Sequence, residues 1–389
     1  MPSSARVRWL WFALLYFAEG APIGWIWWRL PALLAQRGVA VDDVTALTST
    51  VALVWALKFL WAPLVDRLQP WLPLRGWIVT AQLGMAATLA ALLLFEPEAH
   101  LGALTALLLL HALCAATQDV AIDALAIRAT PVAEQGRLNG AMQVGMILGR
   151  LLFSTGVLWF GWSHQATVVA LAAVVLAIAG SVLLLPAGER PRHRHRPRQL
   201  RRWLAAVFAT PRILWLALFA LIGGAGFEAA GSLSGPWFVA RGLDDDAIGT
   251  VRLLAALAMA TGAVAGGVVA DRRGARRAAA LWLVAVAAVG LAMASADAAG
   301  QGGPALAAFV SLYLALGGLT AASYALFMQH SKGPMKATLF SSMMGLTNLC
   351  ESWAGRLGGE LARAYGYPVA MATPALLSLA GLWLLRRLR

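Results

Sequence analysis

One feature limits this chain more than any other: long apolar stretches, separated by short polar ones, follow each other from end to end. A helix needs about 20 mainly apolar residues to cross a bilayer. Stretches of that kind lie near residues 9–34, 42–65, 76–95, 101–127, 138–161, 165–186, 213–238, 246–270, 277–296, 304–329, 337–362 and 367–386. They predict an all-α integral membrane protein with twelve crossings. Only 13% of the 389 residues are charged, against roughly 25% in a typical soluble domain. Too little polar surface remains for water to be the solvent. The fifth and sixth stretches are parted only by Gly161-Trp162-Ser163-His164-Gln165.

Basic residues in the loops predict the orientation, because Lys and Arg concentrate on the cytoplasmic side. With the N-terminus inside, the cytoplasmic segments hold Arg6, Arg8, Arg67, Arg75, Arg128, Arg137, the arginines between Arg190 and Arg212, Arg272, Arg273, Arg276, Arg277, Lys332, Lys336, Arg386, Arg387 and Arg389. The opposite loops hold Arg37, Arg241 and Arg363, with acids at Asp42, Asp43, Glu96, Glu98, Asp244, Asp245, Asp246 and Asp297. Both termini are therefore expected in the cytoplasm, with the chain in a bacterial inner membrane. The net charge of +13 follows from this topology and does not call for nucleic acid. Arg6 and Arg8 precede a long apolar run that lacks a small-residue cleavage site, so the first helix is expected to be retained.

Landmarks recur at an offset of about 205 residues: Arg37-Gly38 with Arg241-Gly242, Asp66-Arg67 with Asp271-Arg272, Pro131 with Pro334, and Gly149-Arg150 with Gly355-Arg356. Six crossings restore the starting side, so the repeat is parallel. The expected organisation is two pseudo-symmetric six-helix bundles, 1–186 and 213–389, joined by a basic cytoplasmic linker at 187–212. This is the major facilitator architecture. Within the linker, Gln199-Leu200-Arg201-Arg202-Trp203-Leu204 suits a helix lying on the membrane surface. The alternation Arg192-His193-Arg194-His195-Arg196 suits anionic headgroups better than a metal, which the arginines would repel. Cys114 and Cys350 sit in apolar segments and read as small core residues, with no disulfide or metal spacing.

Leu57-Lys58-Phe59-Leu60-Trp61-Ala62-Pro63-Leu64-Val65-Asp66-Arg67 resembles the second-helix signature of AmpG-type muropeptide permeases and their acetyl-CoA transporter relatives. Gln118-Asp119-Val120-Ala121-Ile122-Asp123 resembles the fourth-helix signature of the same group, and Arg75-Gly76-Trp77 opens the third helix similarly. The stretch Gly136-Arg137-Leu138-Asn139-Gly140-Ala141-Met142-Gln143-Val144-Gly145 is closer to pyochelin- and rhizobactin-type siderophore importers. The resemblance covers about residues 10–150. The enteric permeases carry helices beyond twelve, for which this chain has no room. The resemblance implies proton-coupled uptake of a bulky solute.

An ionised side chain at the bilayer centre costs at least about 2.5–3.5 kcal/mol, so each one prompts a functional reading. Glu19 and Glu228 lie near mid-depth in the first helix of each half, beside weakened backbone at Gly20 and Pro22 and at Gly223-Gly224-Ala225-Gly226. They are candidate proton-coupling residues, with His111 a further proton carrier and Asp119 and Asp123 a carboxylate pair one turn apart. Lys58 and Asp119 both fall about 12–13 Å from the cytoplasmic end at 1.5 Å per residue. They are expected to meet, as a proton-sensitive group or as a brace between the second and fourth helices. Asp66, Arg67, Asp271 and Arg272 are candidates for ion pairs at the inner gate. Arg150 and Arg356 are candidate contacts for an anionic solute, with Glu351 beside Arg356 either in the site or as its partner. Trp25, Trp27, Trp28 and Arg29 close the first helix on the outer side, as interface residues or, for Trp28 and Arg29, as solute contacts.

These readings predict a secondary active transporter that imports an anionic or amphiphilic organic solute, muropeptide-like, by alternating access. Siderophore import is the alternative within the superfamily. A membrane-embedded transferase is the alternative outside it, but no nucleophile, base or metal constellation stands out. No nucleotide-binding signature appears. The expected partners are a small solute, protons and the bilayer, with the chain a monomer that needs neither metal nor cofactor.

Overall fold

The computed structural model describes residues 4–39, 41–157, 160–183, 210–332 and 335–388. Among them there is no strand, and twelve helical segments follow each other in chain order. The first runs Ala5–Gly24, passes through a π-helical turn at Trp25–Arg29 and ends at Leu30–Gln36. The second comprises Val41–Leu57, a 3-10 turn at Lys58–Leu60 and Ala62–Leu68. The third is Leu74–Leu94 and the fourth Leu101–Ala129. The fifth is Gln135–Leu151 with a π turn at Leu152–Gly156, and the sixth is His164–Leu183. The seventh breaks between Pro211–Ile222 and Ala225–Ala240. Asp245–Arg273, Ala275–Ala298, Gly302–His330 and Lys336–Tyr365 form the eighth to eleventh. The twelfth is Tyr367–Arg387.

Among the described residues, eight of these segments are apolar and long enough to cross a membrane. The first, second, fifth and eleventh are not among them. Those four carry Glu19, Arg29, Lys58, Arg150, Glu351 and Arg356. The segments that depart furthest from a plain spanning helix thus bear much of the ionisable side-chain chemistry. Most of the basic linker, including Arg192–Arg196 and Gln199–Leu204, lies outside the described residues.

The chain folds into two compact units. Unit 1 comprises Met1–Ala129, Val144–Arg196 and Gly333–Ser341, and unit 2 comprises Thr130–Gln143, Pro197–Lys332 and Ser342–Arg389. In lipid, apolar side chains gain little by leaving their solvent, so helices associate through close backbone packing. Unit 1 uses glycine for this on both sides of one seam. A β-carbon at Gly20 or Gly24 of the first helix would strike the backbone of Met146 or Arg150 in the fifth. One at Gly145 or Gly149 would strike Ala13 or Phe17 in the first. Beyond this seam the outer part of the unit packs Trp25, Ile26, Leu30 and Leu34 against Leu104, Leu108, Phe153 and Leu171.

Unit 2 repeats the device between the eighth and tenth helices. Gly262 and Gly266 lie against Leu314 and Gly318, and Gly317 lies against Met259. Its seventh helix meets the eleventh where a β-carbon at Gly355 would come within 2.6 Å of Ser232 Oγ. Gly149 and Gly355, which recur in the sequence, therefore serve the same first-to-fifth kind of contact within their own units.

Candidate functional site

Pro63 has no amide proton, and its ring clashes with the preceding turn, so the second helix cannot run straight through it. The chain tightens into the 3-10 turn at Lys58–Leu60 and restarts at Ala62. Lys58 sits at this break, only 2% exposed. Its ammonium is paired with the carboxylate of Asp119 from the fourth helix. One turn further on, Asp123 is fully buried and accepts a 2.6 Å hydrogen bond from the Tyr16 hydroxyl of the first helix. Glu19 lies on the same helix face as Tyr16 and is 3% exposed. Its carboxylate feels the charges of Asp119, Lys58, Asp123 and Arg150. Glu19 Oε2 and Asp123 Oδ2 have no hydrogen-bond partner among the described residues. The first, second and fourth helices of unit 1 thus bring Glu19, Lys58, Asp119 and Asp123 into one buried cluster, and the half-buried Arg150 of the fifth acts electrostatically on Glu19.

His111 is not part of that cluster. It lies eight residues before Asp119 on the same helix, about 12 Å away along the axis. Its Nδ1 is 3.0 Å from the Thr88 hydroxyl, whose own proton goes to the Met85 carbonyl. Trp28 is exposed and Arg29 half-buried, both within the π turn. Trp25, expected at the outer interface with Trp27 and Trp28, is instead fully buried and stacks on His164 at 5.6 Å. The π turn changes which residues face inward, and the apolar pattern gives no sign of that turn.

In unit 2, Glu228 occupies the first turn after the Gly223-Gly224 break. It is half-buried, and its nearest charged influence is Glu351 of the eleventh helix. Tyr313 of the tenth helix feels Glu228, Arg252 and Glu351 together. The Arg252 guanidinium lies 3.7 Å from where a β-carbon on Gly235 would stand. Glu351 is exposed. Arg356 is also exposed and pairs with Glu360 at 3.0 Å, a partner that its spacing from Glu351 does not suggest.

The two repeat-related aspartates cap helices in the same way. Asp66 accepts from the Thr338 amide at 2.8 Å, the Thr338 hydroxyl at 2.8 Å and the Ala337 amide at 3.3 Å. Asp271 accepts from the amides of Gly136 at 2.7 Å and Arg137 at 3.0 Å, and from the Arg137 guanidinium at 2.6 Å. Each carboxylate thereby meets the unsatisfied amides that open a helix, the eleventh and the fifth respectively. Burial pushes Asp66 up to about 6, against the opposing pull of its hydrogen bonds and of Lys336. Arg67 and Arg272, the following residues, are exposed.

Sequence reasoning missed Tyr16, Tyr313 and two clamps on the loops that follow the first helix of each half. Arg37 pairs with Glu98 at 2.7 Å and Glu96 at 3.0 Å. Arg241 pairs with Asp297, which also accepts a 2.9 Å bond from Trp237 Nε1. Both arginines follow the first helix of a half, and both pair with acids at the far end of the third. Tyr16 had a signal available, since it precedes Glu19 by one helical step.

Buried carboxylates and cations shared among interlocking helices are what a solute carrier needs and what a plain anchor does not. The sequence pattern of the Major Facilitator Superfamily matches residues 12–359. The chain belongs to that superfamily. It is 26% identical over 385 residues to the anhydromuropeptide permease of Escherichia coli K12, covering 94% of this chain and 78% of that one. It is 24% identical over 282 residues to a putative AmpG 4 transporter of Rickettsia conorii, covering 67% of each chain. The fold matches the Escherichia coli fucose:proton symporter FucP with a TM-score of 0.80 at 15% identity, over 100% of both chains. It matches the human organic anion transporter MFSD10 with a TM-score of 0.79 at 17% identity, over 99% of this chain and 100% of the other. As a major facilitator protein the chain has the twelve-helix fold, is a multi-pass inner-membrane protein, and is a secondary transporter, not an enzyme.

Proposed function

We propose that this transporter imports an anionic or amphiphilic organic solute of the anhydromuropeptide kind, coupled to protons, as a monomer with both termini in the cytoplasm. The observation that carries the coupling is the charge count in unit 1. Lys58 pairs with Asp119 and acts on Asp123 and Glu19, and Arg150 acts on Glu19, so two cations stand against three carboxylates. An unmatched buried charge is costly, and a single proton on the carboxylates makes the cluster neutral. Glu19 and Asp123 each have an unpartnered oxygen to receive it. Arg150 then links the cluster to solute, because it stays charged and binds carboxylates through two parallel hydrogen bonds. Glu228 and Glu351 with Arg252, Arg356 and the exposed Trp28 and Arg29 are the remaining solute contacts. Asp66 and Asp271 release and re-cap their helices as access alternates, with Arg67 and Arg272 beside them. The halves 1–186 and 213–389 move as the two rocking bodies. Similarity to the anhydromuropeptide permease favours cell-wall fragments as solute.

The test is uptake of an anhydromuropeptide into proteoliposomes under an imposed pH gradient. Accumulation should collapse on adding a protonophore. Glu19→Gln and Asp123→Asn should lose accumulation but keep solute exchange across the membrane at zero gradient. Accumulation that survives the protonophore, or a wild type indifferent to the anhydromuropeptide, ends the proposal.

A further inference from the structure

Two fully buried glutamines in unit 1 are left out of the charged cluster. Gln82 of the third helix and Gln118 of the fourth are both 0% exposed. Neither the nitrogen nor the oxygen of either side-chain amide has a hydrogen-bond partner among the described residues. A glutamine amide offers two donors and two acceptor positions, and leaving such groups unmatched in an interior is destabilising. Native interiors avoid this by pairing the groups with protein or with buried water.

The helix register shows that the two amides share one place. The third and fourth helices run antiparallel, with Thr88 against His111 and Gly84 against Cys114. Met85 and Ala115 pack in the same small core cluster, together with Val175 of the sixth helix. Gln82 lies three residues before Met85, and Gln118 three residues after Ala115. Each therefore occupies the same face of its helix as the residue it follows in the stack, and both steps go towards the same end of the helix pair. The sixth helix runs in the direction of the fourth and supplies Ala179 one turn beyond Val175, a buried methyl with nothing to donate or accept. Thr117, the residue before Gln118, is engaged by Trp61 Nε1 at 3.1 Å. No side chain on these neighbours meets the amides.

We propose that Gln82 and Gln118 bind buried water between the third and fourth helices. The ligand is water alone, held by amide donors and acceptors from both helices in place of a direct protein contact. The site does not depend on the identity of the solute and stands whether or not the proposed substrate is right. It lies one residue along the fourth helix from Asp119, so it provides hydrogen-bonding capacity next to the buried ion pair.

Met85 is the natural reporter: it lies one turn from Gln82 on the third helix and packs with Ala115, one turn from Gln118 on the fourth, and its thioether reacts readily with hydroxyl radical. The experiment is X-ray radiolytic labelling of the purified full chain with mass spectrometry, which generates radicals from bound water. Met293, also 0% exposed, serves as the dry reference. Met85 should be labelled several-fold faster than Met293. In the double variant Gln82→Leu/Gln118→Leu its labelling should fall to the Met293 rate. Labelling of Met85 at the Met293 rate in the wild-type protein overturns the proposal without any variant being needed. So does unchanged fast labelling in a folded double variant.

Discussion

Tyr16 and Asp123, 107 residues apart in the chain, are joined by a 2.6 Å hydrogen bond at the centre of unit 1. Hydrogen bonds to charged groups contribute about 1.5–3 kcal/mol. Tyr16→Phe removes the donor and leaves the shape almost unchanged. We expect it to lower the unfolding free energy in detergent by an amount in that range. The effect should vanish in an Asp123→Leu background, because nothing then remains for the hydroxyl to bond. A double-mutant cycle measures this. Equal losses in both backgrounds would show that the bond does not contribute.

The Lys58–Asp119 pair makes a sharper prediction. Taking one member from a buried ion pair leaves an uncompensated charge and costs roughly 3–5 kcal/mol, whereas replacing both can be nearly neutral. Lys58→Met and Asp119→Leu are each expected to destabilise by that order. The double variant should recover most of the loss in thermal unfolding. By the same charge count it should keep proton-driven accumulation, because removing one cation and one anion leaves the single excess negative charge of the cluster unchanged.

The glycine seam predicts contrasting alanine substitutions. A β-carbon on Gly149 would stand 2.6 Å from the Phe17 carbonyl oxygen and 2.7 Å from the Ala21 nitrogen. Backbone cannot yield there without separating the first and fifth helices. Gly149→Ala should therefore lower the melting temperature by several degrees. Gly180, in the sixth helix, has nothing within 4 Å of where an added methyl would stand. Gly180→Ala should be neutral or stabilising by up to about 1 kcal/mol, from helix propensity alone. A reversed order of the two melting temperatures would refute the account of the seam.

What the sequence revealed depended on how far each signal reaches. Apolar length is local, so all twelve segments were legible, including the fifth and sixth despite the short gap between them. The meeting of Lys58 and Asp119 was legible too, because both could be placed in depth by counting residues to the nearest polar end. The π turns at Trp25–Arg29 and Leu152–Gly156 were not. Trp25 and Phe153 pack in one core, and although Pro22, Gly24 and Pro31 flank the first turn, weakened backbone alone does not specify a π turn. Arg37 and Arg241 were visible as repeat landmarks, but their partners Glu96, Glu98 and Asp297 lie a whole helix pair away. Gln118 was visible as part of the fourth-helix signature but its meeting with Gln82 was not, since a glutamine in an apolar run looks the same whether it faces a neighbour or the interior.

The cap formed by Asp66 supplies a pH dependence whose sign can be worked out. Its carboxyl is pushed from an ordinary 3.8 up to about 6, so between pH 4 and 6 the folded protein binds this proton more tightly than the unfolded chain. Stability rises with pH only where the unfolded state holds more protons. The contribution of Asp66 therefore falls as pH rises from about 4 to 6, by roughly 2–3 kcal/mol at 1.36 kcal/mol per unit. Lys336, next to the capped amides, is lowered to about 8 by burial and by Arg128. Here the unfolded chain holds the proton more tightly, so stability should rise from about pH 8 towards 10. Between pH 6 and 8 both groups are charged and their joint contribution to folding stability is at its lowest. Thermal unfolding of wild type and Asp66→Asn across pH 4 to 6 tests the acid limb: the wild-type slope should be lost in the variant. Lys336→Met should flatten the alkaline limb and leave the acid one. If wild type and Asp66→Asn run parallel from pH 4 to 6, Asp66 does not titrate in that window and the cap does not respond to protons.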